Sequence, residues 1–229
     1  MKTPDYLIPL EKAFIASANK TDALAMKKYM KNKFEFFGIK APLRKEIYKN
    51  HKAQFGLLPD SNFEDIVVWC WSQPQREYQY FAMEFLSRRM KKAEIDIIRL
   101  YEYMLINKSW WDTVDFIAAT LVGNYFKKYP LQINTITKEW ILTDNIWLQR
   151  SCLLFQLKYK ENTNTELMAE FIDHLIGSKE FFINKAIGWV LREYSKTNPS
   201  YVVDYVEGKS LSGLSLREAL KWMLSRGLV

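Results

Sequence analysis

WWDTVDFIAATL (residues 110–121), WLQRSCLLFQL (147–157) and FFINKAIGWVL (181–191) open alike, with aromatic residues, then a charged residue or cation about a turn later, then an apolar run. Each reads as a helix. In the first and its continuation, Val114, Ala118, Leu121 and Tyr125 recur at the spacing of one helical stripe, as do Tyr78, Phe81, Ala82, Phe85 and Leu86 in EYQYFAMEFLSRRM (77–90). Related openings stand at APLRKEIY (41–48), QPQREYQYFA (73–82) and LSLREALKWML (214–224). Aligning all six puts Arg44, Arg76, Asp115, Arg150, Lys185 and Arg217 at one anchor position, at intervals of 32, 39, 35, 35 and 32 residues. That period lies just below the ~40–47 residues of HEAT and armadillo units. Such units cannot bury their faces alone and must stack. The sequence therefore predicts an all-α chain, a right-handed α-solenoid of about six HEAT-like or armadillo-like helical repeats with a concave basic groove. Residues 1–229 are expected to form one domain, with roughly the first 35 as capping helices. Pro42, Pro59, Pro74, Pro130 and Pro199 fall between helical segments, and no strand alternation or Asn-Gly hairpin turn competes.

Composition narrows the class. Of 229 residues, 48% are hydrophobic and 15% aromatic, too much apolar surface for a chain that stays disordered. Cys70 and Cys152 each sit in an apolar run and read as buried, reduced thiols rather than a disulfide framework. His51 and His174 stand far apart, without Cys or His at ligand spacing, and read as ordinary surface or capping residues. Zinc sites and histidine-based hydrolase triads need clusters that this pattern lacks, so no metal and no cofactor is expected. With 33 basic against 26 acidic residues the net charge is +7, which favours a polyanionic partner. Residues 1–50 hold 11 Lys and Arg against 5 Asp and Glu, nearly the whole excess. The start lacks a long apolar core and no run of 18 apolar residues occurs, so a cytoplasmic protein without a membrane span is expected.

Five of the six anchors are basic and one, Asp115, is acidic. If equivalent positions share a face, five cations and one carboxylate line it, a pattern that fits a phosphate backbone. The competing reading has anchor arginines bracing the next repeat through salt bridges. Trp111 and Asp115 are four apart and share one side of a helix. At ~100° per residue Asp115 lies along the edge of the buried stripe, whereas Asp112 points to solvent. Trp147, Arg150 and Lys158 recur one repeat later, and Lys185, Trp189, Arg192 and Lys196 in the next. Tryptophans beside cations at repeat-equivalent positions suit a stacking and cation–π surface, although core filling competes for each ring, Trp110 included. A carboxylate among indoles suits stabilisation of an oxocarbenium ion and positioning of water to attack it. On a phosphate-binding surface, that chemistry is cleavage of an N-glycosidic bond in DNA. A purine made cationic by alkylation leaves readily and needs no histidine acid.

KSWWDTVD, DNIWLQRSCLLFQLKYK, KEFFINKAIGWVLREYSKTNP and, near the N-terminus, MKKYMKNKFEFFGIKAPLRK closely resemble the bacterial AlkD-type DNA alkylation repair glycosylases, over roughly residues 8–225. The resemblance implies HEAT-like repeats and a metal-independent enzyme; no lysine is obviously placed for Schiff-base formation, so a monofunctional enzyme is expected, acting as a monomer. Its substrate would be double-stranded DNA carrying positively charged N3- or N7-alkylated purines, such as 3-methyladenine and 7-methylguanine, and its product an abasic site. It implies Asp115, Trp111 and Trp189 as catalytic residues, Tyr29 and Arg150 as cleft residues, and Lys158, Arg192 and Lys196 as neighbours of the DNA backbone. Arg44, Trp110, Trp147 and Lys185 complete the expected DNA-binding set. Two other readings remain: a non-catalytic repeat protein that binds damaged or branched DNA, and a protein–protein scaffold.

Overall fold

The computed structural model describes residues 2–57 and 62–229, and Pro59 lies outside them. Among the described residues every regular element is helical, apart from one isolated parallel bridge between Glu35 and Gln75. The chain divides into two compact units, Met1–Lys91 and Lys92–Val229. No helix among the described residues is long and apolar enough to cross a membrane.

The first unit contains α1 (Ile8–Ala16), α2 (Lys20–Tyr29), α3 (Ala41–Phe55), α4 (Phe63–Ser72) and α5 (Arg76–Arg89). The residues expected as a cap thus form α1 and α2, preceded by a 3-10 turn at Asp5–Leu7. The α5 stripe read from the sequence is the core: Tyr78, Phe81, Ala82, Phe85 and Leu86 are all buried. Phe14 and Tyr48 meet these rings at centroid distances of 5.3 Å (Phe14–Tyr78) and 5.0 Å (Tyr48–Phe81). Arg76, an anchor expected on a surface, is fully buried with its guanidinium 3.8 Å from the Phe34 ring centre. Beside it the buried Glu77 carboxylate accepts the backbone N–H groups of Phe37, Gly38 and Ile39 at 3.0–3.2 Å, fixing the turn into α3. Gly38 has φ +86°, and a Cβ there would stand 2.1 Å from the Asn19 carbonyl oxygen, so this position needs glycine twice over. His51 departs from its surface reading. It is 5% exposed, packed edge-on against Tyr6 with centroids 4.7 Å apart.

The second unit contains α6 (Ile97–Ile106), α7 (Trp111–Phe116), α8 (Gly123–Lys128), α9 (Ile133–Ile141), α10 (Ile146–Leu154), α11 (Thr165–Leu175), α12 (Phe181–Ser195), α13 (Pro199–Glu207) and α14 (Gly213–Leu224). A π-helical turn, Ile117–Val122, joins α7 to α8 without a break. The row α7–α8, α10, α12, α14 consists of successive first helices, each touching the next, and α9, α11 and α13 are their hairpin partners. This is the stacking that the repeat period predicts. Side-chain oxygens of Asn145, Asn164, Asn198 and Ser212 accept N–H groups of the first turns of α10, α11, α13 and α14, which sets where each helix begins. Asp115, Arg150, Lys185 and Arg217 are each the fifth residue of their helices. Cys152 and Val114, Ala118, Leu121 and Tyr125 are buried as expected, and so is Cys70 in the first unit.

Candidate active site

The site grows from the starts of α7, α10 and α12. Trp110 is extended and ends the loop before α7, its carbonyl oxygen accepting the N–H groups of Thr113 and Val114. Val114 and Ile117 turn into the core, which leaves Asp115 at the edge of the buried stripe with 16% of its side chain exposed. The π turn begins two residues later, and such turns are concentrated at functional sites because they re-aim neighbouring side chains. Gly123 closes it, where a Cβ would lie 2.5 Å from the carbonyl oxygen of Phe155 in the next repeat.

Asp115 does not stand alone. Arg150 Nε donates to Oδ1 at 2.7 Å and its NH2 to Oδ2 at 2.9 Å, a bidentate pair across adjacent repeats. The remaining terminal nitrogen of Arg150 donates to the Phe182 carbonyl oxygen in the repeat beyond. The guanidinium is thus held on three sides, with only 3% of the side chain exposed. Burial raises the Asp115 carboxyl above its ordinary value; the Arg150 hydrogen bonds and charge oppose this, and the nearby Asp112 reinforces it. Asp112, expected to face solvent, is half-buried.

Around this pair lies a three-ring cluster. Trp110 meets Phe182 at 4.9 Å and Trp147 at 5.7 Å between centroids, and Trp147 meets Phe182 at 5.0 Å. Phe182 therefore supplies both a wall of the site and an acceptor for Arg150, a role that sequence reading missed. Its repeat equivalence to Trp147, 35 residues before it, was the available signal. Trp111, one turn before Asp115, and Trp189, in the middle of α12, are half-buried and partly open to solvent.

The expected cations are placed differently from one another. Lys158 is exposed, its ammonium 2.7 Å from Thr120 Oγ1 on the π turn. Lys185 and Arg192 reach the two oxygens of Glu218 on α14 at 2.6 and 2.7 Å. Lys196, just past α12, is exposed and paired with Glu193. In the first unit Tyr29 ends α2 with 68% exposure, and the half-buried Arg44 lays its guanidinium 4.4 Å from the Tyr80 ring centre. Arg150, like Arg76, is an internal brace, so these two anchors do not form part of a surface row of cations.

The arrangement can do something specific. It presents one oriented, partly exposed carboxylate whose arginine partner packs near an aromatic cluster, which suits stabilisation of a cationic sugar.

Comparison with known proteins agrees in kind. The family model for DNA alkylation repair enzymes matches residues 10–223. A solved structure from Enterococcus faecalis, described as a predicted DNA alkylation repair enzyme, is 32% identical, with a TM-score of 0.83 over 90% of this chain and 96% of that one. No curated protein matches the chain. The matched span covers all of the elements that build the site, and the chain belongs to the DNA alkylation repair enzyme family.

Proposed function

We propose that this protein is a monofunctional DNA glycosylase that hydrolyses the N-glycosidic bond of cationic N3- and N7-alkylpurines in duplex DNA, leaving an abasic site. The observation that carries the reading is the Asp115 carboxylate, locked in orientation by Arg150 yet still partly open to solvent, with the Phe182 ring 5.9 Å from the guanidinium. In the reaction the bond between C1′ and the purine nitrogen breaks heterolytically. The bonding pair leaves with the base and neutralises its positive charge, so no protein acid is required. Positive charge passes to the deoxyribose, where a fixed carboxylate stabilises it and accepts a proton from the attacking water. Trp111 and Trp189 pack against the sugar, and Trp110 and Trp147 with Phe182 back the pair. Lys158, Lys185, Arg192 and Lys196 meet phosphates of the bound duplex, and Tyr29 and Arg44 are proposed as further DNA-binding residues. The protein works as a monomer in the cytoplasm, without a metal or cofactor.

The test is release of free 7-methylguanine and 3-methyladenine from methylated duplex DNA. The wild type is expected to release both and to leave unbroken strands carrying abasic sites, and Asp115→Asn to release neither above background. Full release by Asp115→Asn removes the carboxylate from the mechanism. The same ion pair also supports a second reading, a non-catalytic binder of damaged or branched DNA, because both Asp115 oxygens face a guanidinium as a brace would. Tight binding without base release by the wild type selects that reading.

A further inference from the structure

Lys185 and Arg192 flank Trp189 on one face of α12, four residues before it and three after, and they share a single carboxylate. Lys185 Nζ lies 2.6 Å from Glu218 Oε1 and Arg192 NH1 lies 2.7 Å from Oε2. The two cations are 38% and 24% exposed, whereas the glutamate side chain is 11% exposed. The base of the Glu218 side chain sits directly against α12. A Cβ at Gly188 would stand 2.4 Å from Glu218 Cβ and 2.6 Å from the Ser215 carbonyl oxygen, so α14 presses directly on the α12 backbone there. The Lys185 hydrogen bond, with the charges of Lys185, Arg192 and Lys221, holds the Glu218 carboxyl below its ordinary value despite burial. The face around Trp189 therefore carries two positive charges and one fixed negative charge.

We propose that Glu218 is a built-in counter-anion that limits how tightly this face of α12 holds the phosphates of undamaged duplex DNA. The proposal rests on the DNA-directed reading above and adds a residue that sets affinity rather than chemistry. A phosphate arriving at Lys185 and Arg192 must share their donors with a carboxylate that repels it. Each phosphate contact neutralised by a free cation adds about 0.9 to the slope of log affinity against log salt. With Glu218 in place the two cations count as one, and without its charge they count as two. An enzyme that must leave undamaged sites quickly gains from the weaker hold.

The experiment measures binding of the full chain to a short undamaged duplex across a salt series. Glu218→Gln keeps the side-chain volume and removes the charge. It is expected to steepen the salt slope by about one and to tighten low-salt binding about threefold to tenfold. Adding Arg192→Gln to it should return the slope to that of the wild type. An unchanged or shallower slope in Glu218→Gln overturns the proposal, because it means that the glutamate merely props the cations in place. Should that variant fail to fold, Arg192→Gln alone is expected to flatten the slope by about one, and an unchanged slope there overturns the proposal instead. If the wild type shows no salt-dependent duplex binding, the functional reading falls and this proposal with it. Wild-type binding with an unresponsive Glu218→Gln sinks this proposal alone.

Discussion

The carboxylate of Asp115 and the guanidinium of Arg150 meet through two parallel hydrogen bonds, 2.7 and 2.9 Å long, across 35 residues of chain. Because the arginine is almost wholly enclosed, removing its partner leaves a buried charge uncompensated. Asp115→Ala is therefore expected to cost about 3–5 kcal/mol, a large share of the ~5–15 kcal/mol that holds a typical domain together. Asp115→Asn keeps one acceptor oxygen for Arg150 and should cost about 1–2 kcal/mol. Urea unfolding of both variants checks this, and equal losses would show that the pair is not the brace its geometry describes. The difference also makes asparagine the right variant for activity, since loss of release cannot then be ascribed to loss of fold.

The protonation state of Asp115 sets a second expectation. The proposed hydrolysis needs the ionised form, and burial moves the group upward from the ordinary carboxylate range against the pull of Arg150. Release of base should fall as pH drops through that raised value, so the acid limb is expected above the ~3.9 of a free aspartate. Single-turnover release of 7-methylguanine, corrected for spontaneous loss, measures it. A limb at the ordinary position, or the same limb in Asp115→Asn, would assign it to another group.

Arg150→Lys probes the fork itself. An ammonium is a single point of donation and cannot span both Asp115 oxygens while reaching the Phe182 carbonyl. The expected result is a fall of about tenfold or more in release rate, equivalent to ~1.4 kcal/mol, with little change in duplex affinity. A matched loss in affinity and none in rate would mean that Arg150 meets DNA instead of holding the carboxylate.

The outcome at Arg150 also shows where sequence reading succeeds and where it stops. The period of 35 located the fifth residue of α7, α10 and α12 correctly, because repeat spacing and cap chemistry are local. Which way a cation at that position points is decided by a partner one repeat away: Arg150 turns inward to Asp115, whereas Lys185, at the same position one repeat on, stays 38% exposed against Glu218. His51 failed for the same reason. It sits among polar residues in sequence, and the rings that cover it include Tyr6, 45 positions earlier, and Phe81, 30 positions later. The π turn at Ile117–Val122 left no trace in the pattern, since Ile117, Ala118 and Ala119 are all apolar and all buried.

Burial of His51 carries its own consequence. The ring lies among Tyr6, Phe55 and Phe81, its Nε2 is buried without a hydrogen-bond partner, and desolvation pushes its pKa below the ordinary 6.5. The unfolded chain therefore binds the proton first as pH falls. The stability associated with neutral His51 is full above pH ~6.5 and is lost as pH drops through the lower folded value. Urea midpoints are expected to fall between pH 7 and pH 5 in the wild type and to fall less in His51→Phe. Identical pH slopes for the two proteins would place the acid sensitivity elsewhere.

Gly188→Ala sets two effects of known size against each other. In a helix interior alanine is favoured over glycine by about 1 kcal/mol. Here the added methyl would lie 2.4 Å from Glu218 Cβ and 2.6 Å from a backbone oxygen of α14, and neither is the far end of a flexible side chain. Two helices must move apart, a cost of about 1–3 kcal/mol or more, so the clash should win. The expected drop in Tm is roughly 2–8 °C for a chain of this size. Gly208→Ala is the control, because its Cβ would meet nothing closer than 3.5 Å and its φ of −82° suits alanine. That variant should stay within about 0.5 kcal/mol of the wild type. If Gly188→Ala is as stable as the control, then α12 and α14 have slack between them. The close approach that seats Glu218 beside Lys185 and Arg192 would then not be enforced by backbone packing, and the negative charge beside Trp189 would be held by its ion pairs alone.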